Sequence, residues 1–566
     1  MLATLRYFGG VFIRQQMRRE VANFRRQTQH CRETQQAVLE DLLRLNADSD
    51  FSRTHKLTEV RNSSDLRSHV PVADFEYYRP YVDRLKQGEV SALLGSKQKL
   101  LMFTLTSGTT ADSKSIPITQ RFLEDYRRGW KIWGIQAYDA HPPLFVSDIV
   151  QLVGDHQQYN TPGGHPCGNI TGLVSAIQNP LVKTMYTVPD LVAKIKDPDA
   201  RYYTALRCAV ANPRVGMVMT ANPSTLVHLA KLGDAHKAEL IRDIADGTLN
   251  PKYQVPAALR GLSSIRRKNP QRARELERMV SHSGGLYPRD YWPGLALQAV
   301  WMGGSAACYL ADLKEYYGDV PIRDHGLSAS EGRMTIPCAD GTTDGILDVG
   351  THYFEFIPEA EAESQQPVVL EAHELEPGRD YFILLTTSSG LYRYNIRDVV
   401  RCTGFFGTTP TLEFLNKGAH ISSLTGEKLS ESQVVSAVRS VAHPLGIRLS
   451  FFTVAPHWGD PPGYKLLVEG RDLGSQSMGP WLAQNVDTAL QEMNCEYGDK
   501  RRSGRLSPLA PVLLADGTWQ RFARCRQSRP GASLEQYKHP CLSPDLKFCD
   551  NLVQQFGTTS AAKAAS

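Results

Sequence analysis

A large mixed α/β body followed by a small α+β domain is the architecture this sequence predicts, and three observations predict it. The chain has 566 residues, more than one hydrophobic core usually serves, so two or three domains are expected. Short apolar runs end in Thr/Ser/Gly clusters and alternate with longer amphipathic stretches, the pattern of strands feeding loops and helices. After Phe405 the alternation tightens to helix, strand, strand and helix, within a length of about 150 residues that suits one domain. A boundary near Asn416–Gly418 divides the chain into residues 1–417 and 418–566.

Taken in order, residues 14–45 read as helix, with Val21, Phe24, Val38, Leu42 and Leu45 near helical spacing. Leu100–Leu105 is a strand entering a polar loop, and Leu123–Tyr138 is a helix rich in aromatics. Thr225–Ile244 and Gln271–Ser281 are helical, the second strongly basic together with Arg266, Arg267 and Lys268. Tyr381–Thr387 and Leu391–Cys402 read as strands joined by the turn Ser388-Ser389-Gly390. Beyond the boundary, Glu431–Val441 and Pro480–Glu492 are helical, while Leu449–Ala455 and Tyr464–Glu469 are strands. No internal repeat is present.

Composition narrows the function classes. Hydrophobic residues make up 41% and charged residues 22%, as in soluble globular proteins. A net charge of +5 over this length argues against a protein built around nucleic-acid binding. No apolar run approaches the roughly 18 residues of a spanning helix, so no integral membrane association is expected. Ten scattered cysteines without a C-x-x-C pair fit reduced thiols in a cytoplasmic protein. Seven arginines and one acid, Glu20, lie between Arg6 and Arg32. An amphipathic helix with a solvated basic face accounts for them better than a transit peptide or a membrane-surface helix.

Three polar constellations carry the chemistry. The first follows the strand Leu100–Leu105: Thr106-Ser107-Gly108-Thr109-Thr110, then Ala111-Asp112-Ser113-Lys114. Gly108 lets backbone approach a polyphosphate, the hydroxyls of Ser107, Thr109 and Thr110 donate to oxyanions, and Lys114 neutralises charge. The spacing also approximates G-x-x-x-x-G-K-[ST], but Ser113 replaces the second glycine, and Ile116-Pro117 interrupts the helix that a P-loop requires. An ordinary polar turn uses the same residue types.

In the second constellation, Gly303-Gly304-Ser305 lets a flat ring lie against backbone, and Ser330-Glu331 offers a hydroxyl for phosphate and a carboxylate for Mg²⁺. A Ser-Glu pair is equally a helix cap. In the third, Gly390-Leu391-Tyr392-Arg393-Tyr394-Asn395-Ile396-Arg397-Asp398 places an acid at a strand end, where it can accept two ribose hydroxyls or pair with a neighbouring arginine.

The three in this order, with Trp292-Pro293, Thr425-Gly426-Glu427-Lys428-Leu429-Ser430-Glu431 and Gln536-Tyr537-Lys538, resemble the adenylate-forming superfamily. More narrowly, the chain resembles a bacterial-type member of the auxin-responsive acyl acid amido synthetases, the Gretchen Hagen family. The resemblance implies a large N-terminal domain of sheets flanked by helices with a β-barrel subdomain, and a small mobile C-terminal domain. It implies activation of a carboxylic acid by ATP–Mg²⁺ to an acyl-adenylate, then transfer to the amine of an amino acid. Its partners are then small molecules, with a monomer favoured. Ser107, Gly108, Thr109, Thr110 and Lys114 would hold the phosphates, and Gly304 and Ser305 would line adenine. Ser330 would touch the α-phosphate, Glu331 would bind Mg²⁺, Asp398 would hold the ribose, and Lys538 would stabilise charge during adenylation. Ala111 and Asp112 stand where a glycine is common in the family. Leu327 replaces an aromatic, and Arg397 replaces the glycine before the aspartate. A thiol or hydroxyl acceptor, or a silent binding protein of the same fold, are the rival readings.

The acid pocket is expected to draw on the helix after Leu123 and on Thr161–Gly168, where His165 and Cys167 read as loop structure.

Overall fold

The computed structural model describes residues 10–105, 114–361, 364, 366–418, 421–422, 424–425, 427, 429–475, 477–527 and 538–558. Among the described residues, four sheets of three or more strands and two two-stranded ones organise the chain. Two of them, with their helices, position the site.

A four-stranded parallel sheet runs Asp148–Gln151, Val215–Thr220, Leu297–Val300 and Ile322–Arg323. Every residue of Val215–Thr220 and Leu297–Val300 is buried, as parallel strands covered on both faces require. The helices Pro198–Val210, Pro223–Ala235 and Pro270–Ser283 supply much of the apolar cluster that covers it. All three begin with proline at the first helical position behind an Asp or Asn cap, where a missing N–H costs nothing. The expected helix over 225–244 is in fact two, ending at Ala235 and restarting at Lys237.

The second large sheet has seven strands and is antiparallel throughout. Its order is Thr335–Ile336, Asp344–Leu347, Thr409–Lys417, Tyr394–Phe406, Asp380–Thr386, Tyr353–Pro358 and Leu370–Glu371. It stands where the resemblance implies a barrel subdomain. Its longest member starts at Tyr394, three residues later than the expected Leu391, and its register against Asp380–Thr386 slips between Phe382 and Leu384.

A third sheet forms where the P-loop alternative needed a helix. Leu100–Leu105 pairs antiparallel with Ser115–Thr119, with Leu105 opposite Ser115. Because Ser115–Thr119 is a strand, the P-loop reading is excluded. Thr119 then caps the aromatic-rich helix Gln120–Ala140 by accepting from the Phe122 N–H at 3.1 Å.

The helix expected over 14–45 breaks at Gln29-His30 into Val11–Thr28 and Cys31–Leu45. Val21 and Phe24 pack into one apolar cluster with Ile132 and Trp133, and Arg18 pairs with Asp139 at 2.6 Å. The basic helix is therefore fastened to the body, as the amphipathic reading expected. No helix among the described residues is long and apolar enough to cross a membrane.

The last sheet joins Phe452–His457, Gly463–Glu469 and Ala510–Leu514. It packs with Glu431–Ala442 and Met478–Met493 around a separate apolar core drawn from residues between Leu429 and Leu542. Ser430 and Gln433 close a capping box at the start of the first of these helices.

Candidate functional site

Ligands of α/β proteins gather outside the carboxyl ends of parallel strands. Here the strand Leu297–Val300 leads directly into Trp301 and Gly303-Gly304, and Ile322–Arg323 leads into Asp324 and a tight hairpin. The hairpin pairs Ala329 with Gly332 and Ser328 with Arg333, so Ser330 and Glu331 form its tip.

Glu331 is buried and accepts a hydrogen bond from the Tyr394 hydroxyl at 3.2 Å. Burial pushes its carboxyl above the ordinary value, against the pull of Lys417 and Lys114 and with the repulsion of Asp398. Those three charges act on Glu331 through space, and the Lys114 Nζ itself lies 5.8 Å from the Phe75 ring centre. Tyr394, itself fully buried, holds its phenolic proton more tightly than usual, because of burial and then the Glu331 charge. It donates to the carboxylate and fixes it.

Asp398 is also buried, and the Lys417 ammonium pairs with it directly. The two residues are cross-strand partners in the seven-stranded sheet. Burial opposes the Lys417 charge, yet Asp398 and Glu331 outweigh it and hold the ammonium above the ordinary lysine value, although the side chain stays partly open to solvent. Asp398 is not at a strand end, as expected, but inside the strand Tyr394–Phe406 beside the register slip. Arg397, in the slip, takes φ +60°, the left-handed region that glycine occupies without penalty. Its guanidinium pairs outward with Asp74 at 2.9 Å, on neither Asp398 nor the cleft.

Gly304 also has a left-handed φ, +57°, and a Cβ there would meet the Phe414 ring at 3.2 Å. Phe414 and Trp301 pack edge to face, 5.5 Å between centroids, and both are partly buried. They supply an aromatic surface beside the glycines, while Leu327 is buried in the main core.

Lys538 arrives from the C-terminal sheet. Its Nζ lies 5.2 Å from the Trp301 ring centre and 5.8 Å from that of Phe414, within cation–π range. The protein packed around it and then the Lys417 charge push its ammonium below the ordinary lysine value, with Asp398, Glu431 and Asp324 pulling the other way. The residue retains solvent exposure, which tempers the shift. The segment behind it is tightly anchored. Glu431 accepts from the Cys541 N–H at 2.7 Å. The buried His539 ring lies within hydrogen-bond distance of Thr453 Oγ1 (3.0 Å) and the Phe452 carbonyl (2.9 Å).

The structure thus sets Gly304, Glu331, Asp398 and Lys538 around one region, with Ser330 beside Glu331, and Lys114 acts on Glu331 through its charge from beside the Phe75 ring. Ser107, Gly108, Thr109 and Thr110 lie outside the described residues, as does the side chain of Ser305; the flanking Leu105 and Lys114 are described. Sequence reasoning missed Lys417, Tyr394, Trp301 and Phe414 as site residues. Lys417 sits inside the proposed boundary, and only strand register, which spacing alone does not give, sets it opposite Asp398. His165 and Cys167 belong to loop and strand structure: Cys167 is buried and pairs with Phe103 across the sheet. No cluster of metal-ligating side chains occurs among the described residues.

Three family models match the chain: the GH3 family N-terminal domain over residues 20–322, the central domain over 345–417 and the C-terminal domain over 432–547. The chain belongs to the GH3 family. Among curated relatives, the indole-3-acetic acid-amido synthetase GH3.3 of Arabidopsis thaliana is 24% identical over 550 residues, covering 92% of this chain and 91% of the relative. The jasmonoyl–L-amino acid synthetase GH3.5 of Oryza sativa subsp. japonica is 26% identical over 557 residues, covering 92% and 94%. The solved GH3.15 acyl acid amido synthetase has the same fold, with a TM-score of 0.82 at 22% identity, covering 95% of this chain and 96% of that one.

Proposed function

We propose that this GH3 protein is an ATP-dependent acid–amino acid ligase. In the first half-reaction a substrate carboxylate oxygen attacks the α-phosphorus of ATP, giving an acyl-adenylate and pyrophosphate. In the second, the amine of an amino acid attacks the acyl carbon, AMP leaves, and the amine proton passes to solvent. The observation that carries this reading is the meeting of two buried carboxylates, Glu331 and Asp398, with two lysines, Lys417 and Lys538, beside the aromatic pair Trp301 and Phe414, and with the charge of Lys114 acting on Glu331.

Each residue has a task in this reaction. Gly304, Trp301 and Phe414 offer a flat apolar seat for adenine, and Asp398, oriented by Lys417, accepts the ribose hydroxyls. Ser107, Gly108, Thr109, Thr110, Ser305, Ser330 and Lys114 bind nucleotide, chiefly its phosphates. A carboxylate at a hairpin tip beside the phosphate-binding Ser330 suits a divalent cation, which prefers one or two carboxylates plus phosphate oxygens. Glu331 would therefore hold Mg²⁺, which spreads the charge of the phosphates. Lys538 brings positive charge to the developing pentavalent centre, where transfer of this kind depends on positioning and electrostatics. Residues 418–566 act as the unit that delivers it and shields the mixed anhydride from water.

We read the chain as a bacterial-type member on its sequence motifs alone. A cytoplasmic monomer is in keeping with its small-molecule substrates. The test is ATP–pyrophosphate exchange with a panel of carboxylic acids, followed by addition of amino acids and then coenzyme A, with products identified by mass spectrometry. Acid-dependent exchange and an amide product are expected. No exchange with any acid from a well-folded protein would leave a silent binding protein, and a thioester without an amide would change the acceptor.

A further inference from the structure

Arg333 stands at the base of the hairpin whose tip is Ser330-Glu331, and it forms no ion pair among the described residues. The side chain is 2% exposed. One guanidinium nitrogen, Nη2, donates to the His325 carbonyl. The other two, Nε and Nη1, are buried with no hydrogen-bond partner. Among the described residues no carboxylate lies within ion-pairing distance. The two acids nearest in effect are turned to other partners: Asp348 pairs with Arg128 through Oδ1 at 2.8 Å, its Oδ2 making no hydrogen bond among the described residues, and Asp324 accepts the Met302 and Gly326 N–H groups, each at 2.6 Å. A buried guanidinium left in this way is costly.

The surroundings are built to hold it. Its carbon lies 4.5 Å from the Trp130 ring centre. Its stem crosses the helix Gln120–Ala140 at Gly129, where any Cβ would come within 2.5 Å of Arg333 Cδ. Glycine inside a helix forfeits about 1 kcal/mol relative to alanine, and here it makes room for this one side chain. The neighbouring His325, 5.2 Å from Trp130, presents only the lone pair of Nε2 there and gives no donor to an anion. Its ring stays neutral, because burial and then Arg333 itself push its pKa down to about 3, so it offers no compensating charge.

We propose that Arg333, held against the Trp130 ring, recognises a second carboxylate, carried by the acid substrate at the end remote from the carboxylate that is activated. The substrate class is then a dicarboxylic acid, one end presented at Ser330-Glu331 and the other held by Arg333 Nε and Nη1. This rests on the amido synthetase reading for the reacting end. The same carboxylate chemistry could come from the α-carboxylate of the acceptor amino acid, and the experiment separates the two.

ATP–pyrophosphate exchange is measured without amine for two matched pairs, hexanoate against adipate and phenylacetate against 4-carboxyphenylacetate. Wild type is expected to favour the dicarboxylate by at least tenfold in kcat/KM in one pair, and Arg333→Met to bring that ratio near one while Arg333→Lys keeps part of it. Tryptophan fluorescence supplies a readout independent of chemistry: the favoured dicarboxylate, added without ATP, should perturb emission in wild type and not in Arg333→Met or Trp130→Phe. A wild type that favours the monoacid in both pairs overturns the proposal. So does an unchanged ratio in Arg333→Met, or, when amide formation is then measured with an amino acid added, an Arg333→Met variant that raises only the KM of the amino acid. If no acid supports exchange yet the dicarboxylate still perturbs the indole, the failure lies with the amido synthetase reading and not with Arg333.

Discussion

Arg393 and Arg333 are both almost fully buried, and they differ in what answers their charge. Arg393 meets Glu355 at 2.9 Å and donates to the Val70 carbonyl at 2.7 Å, while Arg67 reaches the other oxygen of Glu355 at 2.9 Å. Every element of that cluster is supplied by the chain, which marks it as architecture: it ties the segment before Ala73 to the strands Tyr353–Pro358 and Tyr394–Phe406. Arg333 has one carbonyl and an indole face. Lys538, too, rests on aromatic rings and makes no ion pair among the described residues. A fold that answers Arg393 with a carboxylate, and leaves the buried Arg333 and the exposed Lys538 without one among the described residues, distinguishes scaffold from recognition surface.

The contrast can be broken at either end. The largest effect belongs to Glu355→Ala, which strands Arg393 and Arg67 together; breaking a buried pair of this kind costs about 3–5 kcal/mol, so a lower urea midpoint at unchanged slope is expected. A loss below 1 kcal/mol would mean that Arg393 is no better answered than Arg333. Lys538→Ala should leave that midpoint nearly unchanged and slow acid-dependent exchange by about 10²–10³, the scale of one lost electrostatic stabiliser. Equal exchange rates would return Lys538 to the scaffold.

Asp324 gives a smaller, pH-resolved effect. Burial pushes its carboxyl up to about 7 from 3.8, against the pull of the Gly326 and Met302 N–H groups. The folded state therefore binds more protons than the unfolded between these values, and stability falls as pH rises from about 4 to 7, by at most about 1.4 kcal/mol per pH unit. Melting temperatures across that range should flatten in Asp324→Asn. The smallest effect is Arg397→Gly: relief of a left-handed residue gains about 1–2 kcal/mol, offset by about 0.4–1 kcal/mol of unfolded-state entropy and by the exposed Asp74 pair. A net gain of about 0.5 kcal/mol by calorimetry is expected, and a loss would give the Asp74 pair more weight than its exposure suggests.

Much of this was legible in the residues. Leu100–Leu105 is a strand to the residue, and Gln271–Ser281 and Glu431–Val441 lie within their helices, because strong apolar periodicity and caps are local signals. Glu331, Asp398 and Lys538 were recognisable from motif order, and they converge. Pairings were not legible. That Lys417 faces Asp398 depends on strand register, and that Tyr394 reaches Glu331 depends on how hairpin and sheet meet. Arg397 carried a visible signal, a large residue where glycine is usual, but its outward pairing required Asp74, 323 positions away in the chain. Arg333 looked like any basic residue after a turn; only burial distinguishes it.

The anchoring of Lys538 has a mechanical corollary. His539, Cys541 and Leu542 are fastened to Phe452, Thr453 and Glu431, which follow the boundary in sequence, whereas the rings that Lys538 touches precede it. The lysine is thus a pointer mounted on one body and read against another. A small turn between the two would sweep its tip off the indole without breaking a single bond within either, making its attendance at the reaction a matter of alignment rather than of local flexibility.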